Sequence, residues 1–416
     1  MSRNSMSYHG YIFSHLCSIV AFRSASVVII WALVQLFGHA ESVGVLVAVM
    51  WVANILFLPI SGYLLDRYAK KTVVLFCSIA SVLLAFILLF SYQSFISCLI
   101  LISLLSILNS AISTAPNTLI PLLVSKENLT NAIGISSTLN SLQVIIGVVV
   151  GGGVIYAVGI VNSLLATFVL YLISLLLFSF VRLPSGVKPA PSAESKALQI
   201  TQGFRSLKQL KPELMFCYSA MVGNFILTPL ISVVVPIYVQ RTLNNDISYV
   251  VLFESSIAIG MLVGGTLSVK MNRWFNRYQQ VLLGGLLIGL GVMAFAYTHT
   301  VAIKAIALFL SGMGLTIKGI QFSSLRGHAV PVSHKARIES AIFALCVLTI
   351  PLGSMAVSYA IDINLFNIDT LIMTMGGLII LSLAFITQTR DCIEALTAQD
   401  TQLENYYTTR YPRAFL

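Results

Sequence analysis

Charge is what this chain lacks. Only 9% of its 416 residues are Asp, Glu, Lys or Arg, against about a quarter in ordinary soluble domains. Hydrophobic residues make up 57%. A soluble domain of this size still has to cover itself with polar groups, so the composition excludes one and makes lipid the solvent for much of the chain. Cysteine supplies no framework either. Cys17, Cys77, Cys98, Cys217, Cys346 and Cys392 show no CxxC or other ligand spacing, and a free thiol in an apolar run behaves as a small hydrophobe. There is no P-loop, so ATP hydrolysis is not encoded. The histidines and scattered acids form no metal or nucleophile constellation. Neither catalysis nor a cofactor is expected, and the energy source is expected to be the proton motive force.

What is present is a series of apolar stretches of about twenty residues, the length that spans a bilayer core. The expected spans are Ile12–Phe37, Val43–Leu65, Thr72–Tyr92, Phe95–Ala115, Ile135–Tyr156 and Val161–Val181. After a break come Leu214–Val239, Tyr249–Val269, Val281–Tyr297, Val301–Phe322, Ile338–Ile361 and Leu371–Ile386. Each must be helical, because a spanning segment satisfies its own backbone hydrogen bonds. The fold class is therefore all-α and integral to the membrane, with twelve transmembrane helices in two six-helix bundles. The break, 182–212, is rich in Pro, Ser, Ala and Lys, the composition of a flexible linker. It separates an N-terminal bundle, 12–181, from a C-terminal bundle, 213–389. A short N-terminal tail, 1–11, and a C-terminal tail, 390–416, complete the division. The first apolar run is too long for a signal-peptide core and is read as a retained helix.

The net charge of +10 would suggest nucleic acid in a soluble protein. Here the basic residues sit in short loops, and the positive-inside rule explains them. One set of loops and the tails hold Arg3, Arg67, Lys70, Lys71, Lys126, the Arg182–Lys211 cluster, Lys270, Arg273, Arg277, Arg326, Lys335, Arg337, Arg390, Arg410 and Arg413. The opposite loops hold only Arg241 and Lys304, and the spans hold Arg23 and Lys318. Both termini are expected in the cytoplasm, and no nucleic-acid partner is expected.

The halves repeat each other. Gly62-x-x-x-Asp66-Arg67-x-Ala69-Lys70-Lys71 follows the second span, and a worn copy, Gly265-x-x-x-Val269-Lys270, follows the eighth. Duplication of a six-helix unit produces such offsets. The GYLLDRYAKK loop resembles the signature of the major facilitator superfamily, with Ala69 at its second glycine, and the resemblance covers essentially the whole chain. It implies a rocking carrier in which Gly62, Asp66, Arg67, Lys70 and Lys71 belong to the conformational switch. Other stretches resemble bacterial exporters of that superfamily, in particular macrolide-efflux and enterobactin-type siderophore exporters. These are TLIPLLVSKENLTNAIG, then Gly147-Val148-Val149-Val150-Gly151-Gly152 (Val148 where the exporter signature has proline), and Glu254 followed by Gly260-Met261-Leu262-Val263-Gly264-Gly265. Gly147/Gly151 and Gly260/Gly264, four residues apart, place small residues on one helix face for close packing.

An ionisable group inside a span should face a cavity or a partner. Arg23, Glu254 and Lys318 are the candidates for cargo or proton coupling, with His15 added because imidazole titrates near neutral pH. Asn117, Asn140, Gln143, Asn224 and Gln321 supply uncharged polar groups. Pro229, Pro236 and Pro351 remove backbone bonds and are expected to kink their helices. Two cations against one acid favour an anionic cargo. The leading expectation is proton-coupled export of a carboxylate siderophore by a monomer in a bacterial inner membrane. The alternatives are macrolide-type drug efflux and a non-transporting receptor of the same fold.

Overall fold

A computed structural model of the chain describes residues 3–125, 128–183, 196–404 and 406–415. Regular structure among them is entirely helical. The first elements are α1 (Arg3–Phe37), α2 (Ala40–Arg67), α3 (Lys70–Ser91), α4 (Phe95–Thr114), α5 (Pro116–Leu123), α6 (Leu129–Val158) and α7 (Ile160–Ser179). There follow α8 (Lys196–Gln209), α9 (Lys211–Pro229), a π-helical turn (Leu230–Val234), α10 (Val235–Thr242), α11 (Ile247–Met271), α12 (Arg277–Tyr297) and α13 (Val301–Ala329). The chain ends with α14 (Val332–Val347), α15 (Thr349–Asp362), α16 (Ile368–Leu381), α17 (Ala384–Thr387), α18 (Arg390–Thr397), α19 (Asp400–Leu403), α20 (Tyr406–Arg410) and a 3₁₀ turn, Pro412–Phe415. Among the described residues, twelve helical stretches are long and apolar enough to cross a membrane. The protein is a multi-pass membrane protein. Its outward faces carry Leu56, Phe76, Phe90 and Leu104 exposed, as lipid-facing surfaces should.

The chain forms two compact units, Met1–Ala193 with Ser232–Val251, and Glu194–Ile231 with Leu252–Leu416. The linker-based division assigns Ser232–Val251 to the C-terminal helices, and here the structure differs. The π turn between Pro229 and Pro236 is where the chain leaves one unit for the other. Both prolines lack an N–H, so the α-helical ladder is interrupted and a wider turn is tolerated. Within the first unit, Gln240 donates to the Val34 carbonyl at 2.8 Å, and Asn245 Nδ2 donates to Gln35 Oε1 at 2.9 Å. Asn244 and Asn245 both turn at positive φ, 54° and 59°, the left-handed region that asparagine tolerates.

The structure adds detail to the tails and the linker. The N-terminal tail is helical from Arg3, because nothing in RNSMSYHG stops the first helix from extending. Of the 182–212 linker, Lys196–Gln209 is a helix, with Gly203, Leu207 and Leu210 buried along one face; Pro184–Ser195 lies outside the described residues. Gly203 meets the backbone of Arg337 on α14 so closely that a Cβ would overlap it. The C-terminal tail is folded as well: Cys392, Ala395, Leu396, Leu403, Tyr407 and Ala414 are buried against Phe216, Val281, Phe322 and Ile386 of the second unit.

Lipid provides no hydrophobic drive between helices, so they associate by close packing at small residues. In the second unit Gly260 and Gly264 of α11 lie against the backbone at Phe309 and Met313 of α13, and Gly312 of α13 lies against Ile257 of α11. A Cβ at any of the three would overlap main-chain atoms. Gly264→Val is therefore expected to force the seam apart, at a cost of roughly 1–3 kcal/mol or more. Gly319→Ala, with nothing within 4 Å, should be neutral or gain about 0.5–1 kcal/mol from helix propensity. Thermal unfolding of the two purified variants checks the pair; equal melting points for both would refute the seam.

Candidate functional site

In the first unit the exporter-like glycines prove to be the floor under Arg23. A Cβ on Gly147 of α6 would sit 2.6 Å from Cβ and Cγ of Arg23, and one on Gly151 would sit 3.0 Å from the Ser24 carbonyl. Ser24 in turn hydrogen-bonds Thr167 of α7 at 2.9 Å. The glycines let α6 pass across the root of the arginine, so its guanidinium is carried on a tightly packed α1–α6–α7 corner. Gly152 faces Val251, again within the first unit.

His15 is 2% exposed, stacked on Tyr11 with ring centroids 6.1 Å apart, and faced by Asn140 of α6. Neither ring nitrogen meets hydrogen-bond geometry with any described partner. Asn117 is the second residue of α5 and is exposed. In the switch-like loop, Arg67 donates to Tyr63 one turn back. Lys71 donates to the carbonyls of Val181, at 2.7 Å, and Ser179, at 3.3 Å. The Ser179 carbonyl ends α7 and the Val181 carbonyl lies two residues beyond it, where no intrahelical donor reaches, so Lys71 caps that end and ties the loop to it. Gly62 is half-buried and Lys70 starts α3. The Asp66 side chain lies outside the described residues.

The second unit buries more charge than the sequence suggests. Lys318 is 7% exposed, its amine donating to Ser219 Oγ at 2.8 Å, and Ser219 meets Ser382 at 3.2 Å. Phe322 covers the amine from the next turn, 5.9 Å to the ring centre. The side chain thus lies among α9, α13 and the end of α16. Gln321 joins a buried amide cluster: its Nε2 lies 2.7 Å from Gln280 Oε1, 2.9 Å from Ser268 Oγ and 3.3 Å from Asn272 Oδ1. Gln280 donates to Asn272 at 2.8 Å. The cluster fastens the loop carrying Lys270, Arg273 and Arg277, where the repeat has Val269 in place of Asp66. Asn224 donates to the Cys346 carbonyl at 3.0 Å, at the break before Pro351. Glu254 is 6% exposed on α11, in the second unit, and Gly265 makes ordinary contact with Thr316.

Sequence reading missed Glu213, because it sits one residue outside the expected seventh span. It is fully buried in the first turn of α9, accepting from Tyr407 at 2.9 Å and from Arg326 at 3.3 Å. Burial, and then the Glu213 carboxylate, hold the Tyr407 phenol well above its ordinary range. Arg410 closes the same C-terminal segment on Asp391 at 3.5 Å and Glu394 at 2.5 Å, and its hydrogen bond holds Glu394 below the usual carboxylate range. Burial pushes the Cys392 thiol up to about 12. Lys304, expected in a loop, is 2% exposed in the first turn of α13, its amine bonded to the Phe295 carbonyl and over that ring.

The sequence profile of the Major Facilitator Superfamily matches residues 11–354, and the chain belongs to that family. It is a membrane transporter rather than an enzyme. Macrolide efflux protein A of Streptococcus pyogenes is 22% identical over 345 residues, covering 81% of this chain and 84% of that one. Macrolide efflux protein A of Enterococcus faecalis is 25% identical over 270 residues, covering 64% and 76%. Among solved structures, the nucleoside transporter NupG superposes with a TM-score of 0.75 at 13% identity, covering 92% of this chain and 100% of that one.

Tyr407→Phe keeps the ring and removes the donor to a buried carboxylate, a bond worth about 1.5–3 kcal/mol. The melting point of the variant should fall by the equivalent of that loss. The phenol's raised value gives the sign of the pH dependence: the contribution is complete below about pH 10, the ordinary tyrosine value, and is lost only above it. The difference between variant and wild type should therefore be the same at pH 6 and pH 8.5. A difference that vanishes at the higher pH contradicts the assignment.

Proposed function

We propose that this protein exports a bulky, largely apolar organic molecule of macrolide type, energised by the proton gradient across a bacterial inner membrane. The observation that carries the reading is the similarity to macrolide efflux protein A, which runs through most of both chains. Both termini are taken to be cytoplasmic, on the distribution of basic residues in the loops. Export of an anionic siderophore rested on two intramembrane cations against one acid. Lys318 engages Ser219 within the second unit and is nearly excluded from solvent, and Glu213 adds a second buried acid. Lys304 adds a buried cation on the other side of that count, so the sign of the buried charge does not choose the cargo. Arg23 and Glu254 remain the residues proposed to act on cargo and proton, and Gln321 and Asn224 are assigned to holding helices together.

Expression in an efflux-deficient bacterial host tests the reading. The inhibitory concentration of a macrolide should rise several-fold, and energised cells should accumulate less of it. Glu254→Gln should abolish both effects while the protein remains in the membrane. Unchanged macrolide sensitivity with the protein present, together with increased secretion of a carboxylate siderophore, would restore the anionic reading in its place.

A further inference from the structure

The buried ionisable groups of the first unit are few. Among its described residues no Asp, Glu, Lys or Arg is buried, and the titratable side chains that are buried are phenols, thiols and one imidazole, His15. His15 shares a face of α1 with Tyr8 and Tyr11, at positions i, i+3 and i+7. The three are 8%, 2% and 2% exposed. Both phenolic oxygens are buried without a hydrogen-bond partner, and neither imidazole nitrogen meets hydrogen-bond geometry, Asn140 being the polar side chain that faces the ring. The adjoining seam of the same helix is fully bonded: Ser14 donates to the Ser174 carbonyl, and Ser174 to the Ser14 carbonyl, each at 2.8 Å. At this end of α1 the unsatisfied atoms of Tyr8, Tyr11 and His15 lie along one stripe.

Native interiors rarely leave such groups dry, and bound water that makes about three hydrogen bonds commonly fills the need. Hydroxyls both donate and accept, and a neutral imidazole presents one donor and one acceptor, so this set suits water rather than an ion. The stripe begins near the N-terminal end of the helix at Tyr8 and rises about 10 Å to His15. The groups packed around it are Phe178 of α7, Leu119 and Ile120 of α5, Leu65 of α2 and the neutral Asn140 of α6. The titratable neighbour is His9, exposed and edge-on to the Tyr8 ring at 5.4 Å, at the outer end of the stripe.

We propose that Tyr8, Tyr11 and His15 line a file of bound water reaching from the N-terminal end of α1 into the span, with His15 the proton acceptor at its inner end. As the N–H bond forms at the unprotonated ring nitrogen, the O–H bond of the adjacent water breaks. That water takes a proton from the next, and the file is restored from solvent. The role given to the proton rests on the transport reading above; the water file does not.

Hydroxyl-radical footprinting of the purified full chain reads bound water directly, because radiolysis labels side chains beside it. Tyr8 and Tyr11 should be oxidised as fast as the exposed Tyr156, and the equally buried Tyr171 should lag. Tyr11→Phe, which keeps the ring against Phe178, should reduce labelling at Tyr8 and His15. Labelling of Tyr8 and Tyr11 as slow as that of Tyr171 overturns the water file. Nuclear magnetic resonance of ¹⁵N-histidine protein supplies the second readout without any cargo. The imidazole signal lost in His15→Gln should move reversibly with pH in the wild type; a signal that stays fixed from acid to alkaline solution overturns the proton role. Failure of macrolide export in cells would leave both measurements standing.

Discussion

Without water to squeeze apolar surfaces together, two helices in lipid gain by approaching until their backbones touch. The second unit is organised around that constraint. α11 and α13 meet at Gly260, Gly264 and Gly312, each against main chain, and Gly353 of α15 meets the backbone at Phe225 of α9 in the same way. Contacts this close leave no room for rotamer adjustment. They fix the rotation of each helix, and rotation decides which polar side chains turn inward. The Gln321 cluster and the Lys318–Ser219–Ser382 set are consequences of helices held face to face by glycine.

The two units fasten their repeated loops with different chemistry. In the first, Lys71 brings a charge to the bare carbonyls at the end of α7. In the second, where Val269 stands at the acidic position of the repeat, neutral amides from Asn272, Gln280 and Gln321 do the fastening. A charged cap responds to ionic strength and an amide cluster does not. A worn motif in the sequence therefore marks replacement of the fastening, not its absence.

The spans were legible because apolar length in so charge-poor a chain has no other use. The glycine pairs could be read as packing faces, but not which backbone each would meet. Gln321 was visible as a polar residue in a span, whereas its partner Gln280 lies 41 positions away, a distance no periodicity reports. The C-terminal helices escaped notice because Cys392, Leu396, Leu403 and Tyr407 are spread over three short helices broken by turns. A stripe built by folding several pieces together has no period. Glu213 was hidden by one residue of boundary, and with it the partner that gives Tyr407 its place.

Counting charges along spans is consequently a weak guide to cargo. A buried ion has a field in the transport path only if its own bundle has not already engaged it. Glu213 is held by Arg326 and Tyr407, Lys318 by a serine hydroxyl and an aromatic ring, and Lys304 by a carbonyl. These groups serve the helices that carry them. At Arg23 the structure shows how a position is fixed: Gly147 of α6 lies against Cβ and Cγ of the arginine, and Gly151 lies against Ser24 beside it. A helix surface trimmed to let an arginine stem pass sets where the guanidinium is carried, and position, not the tally of charges, is what a span can be read for.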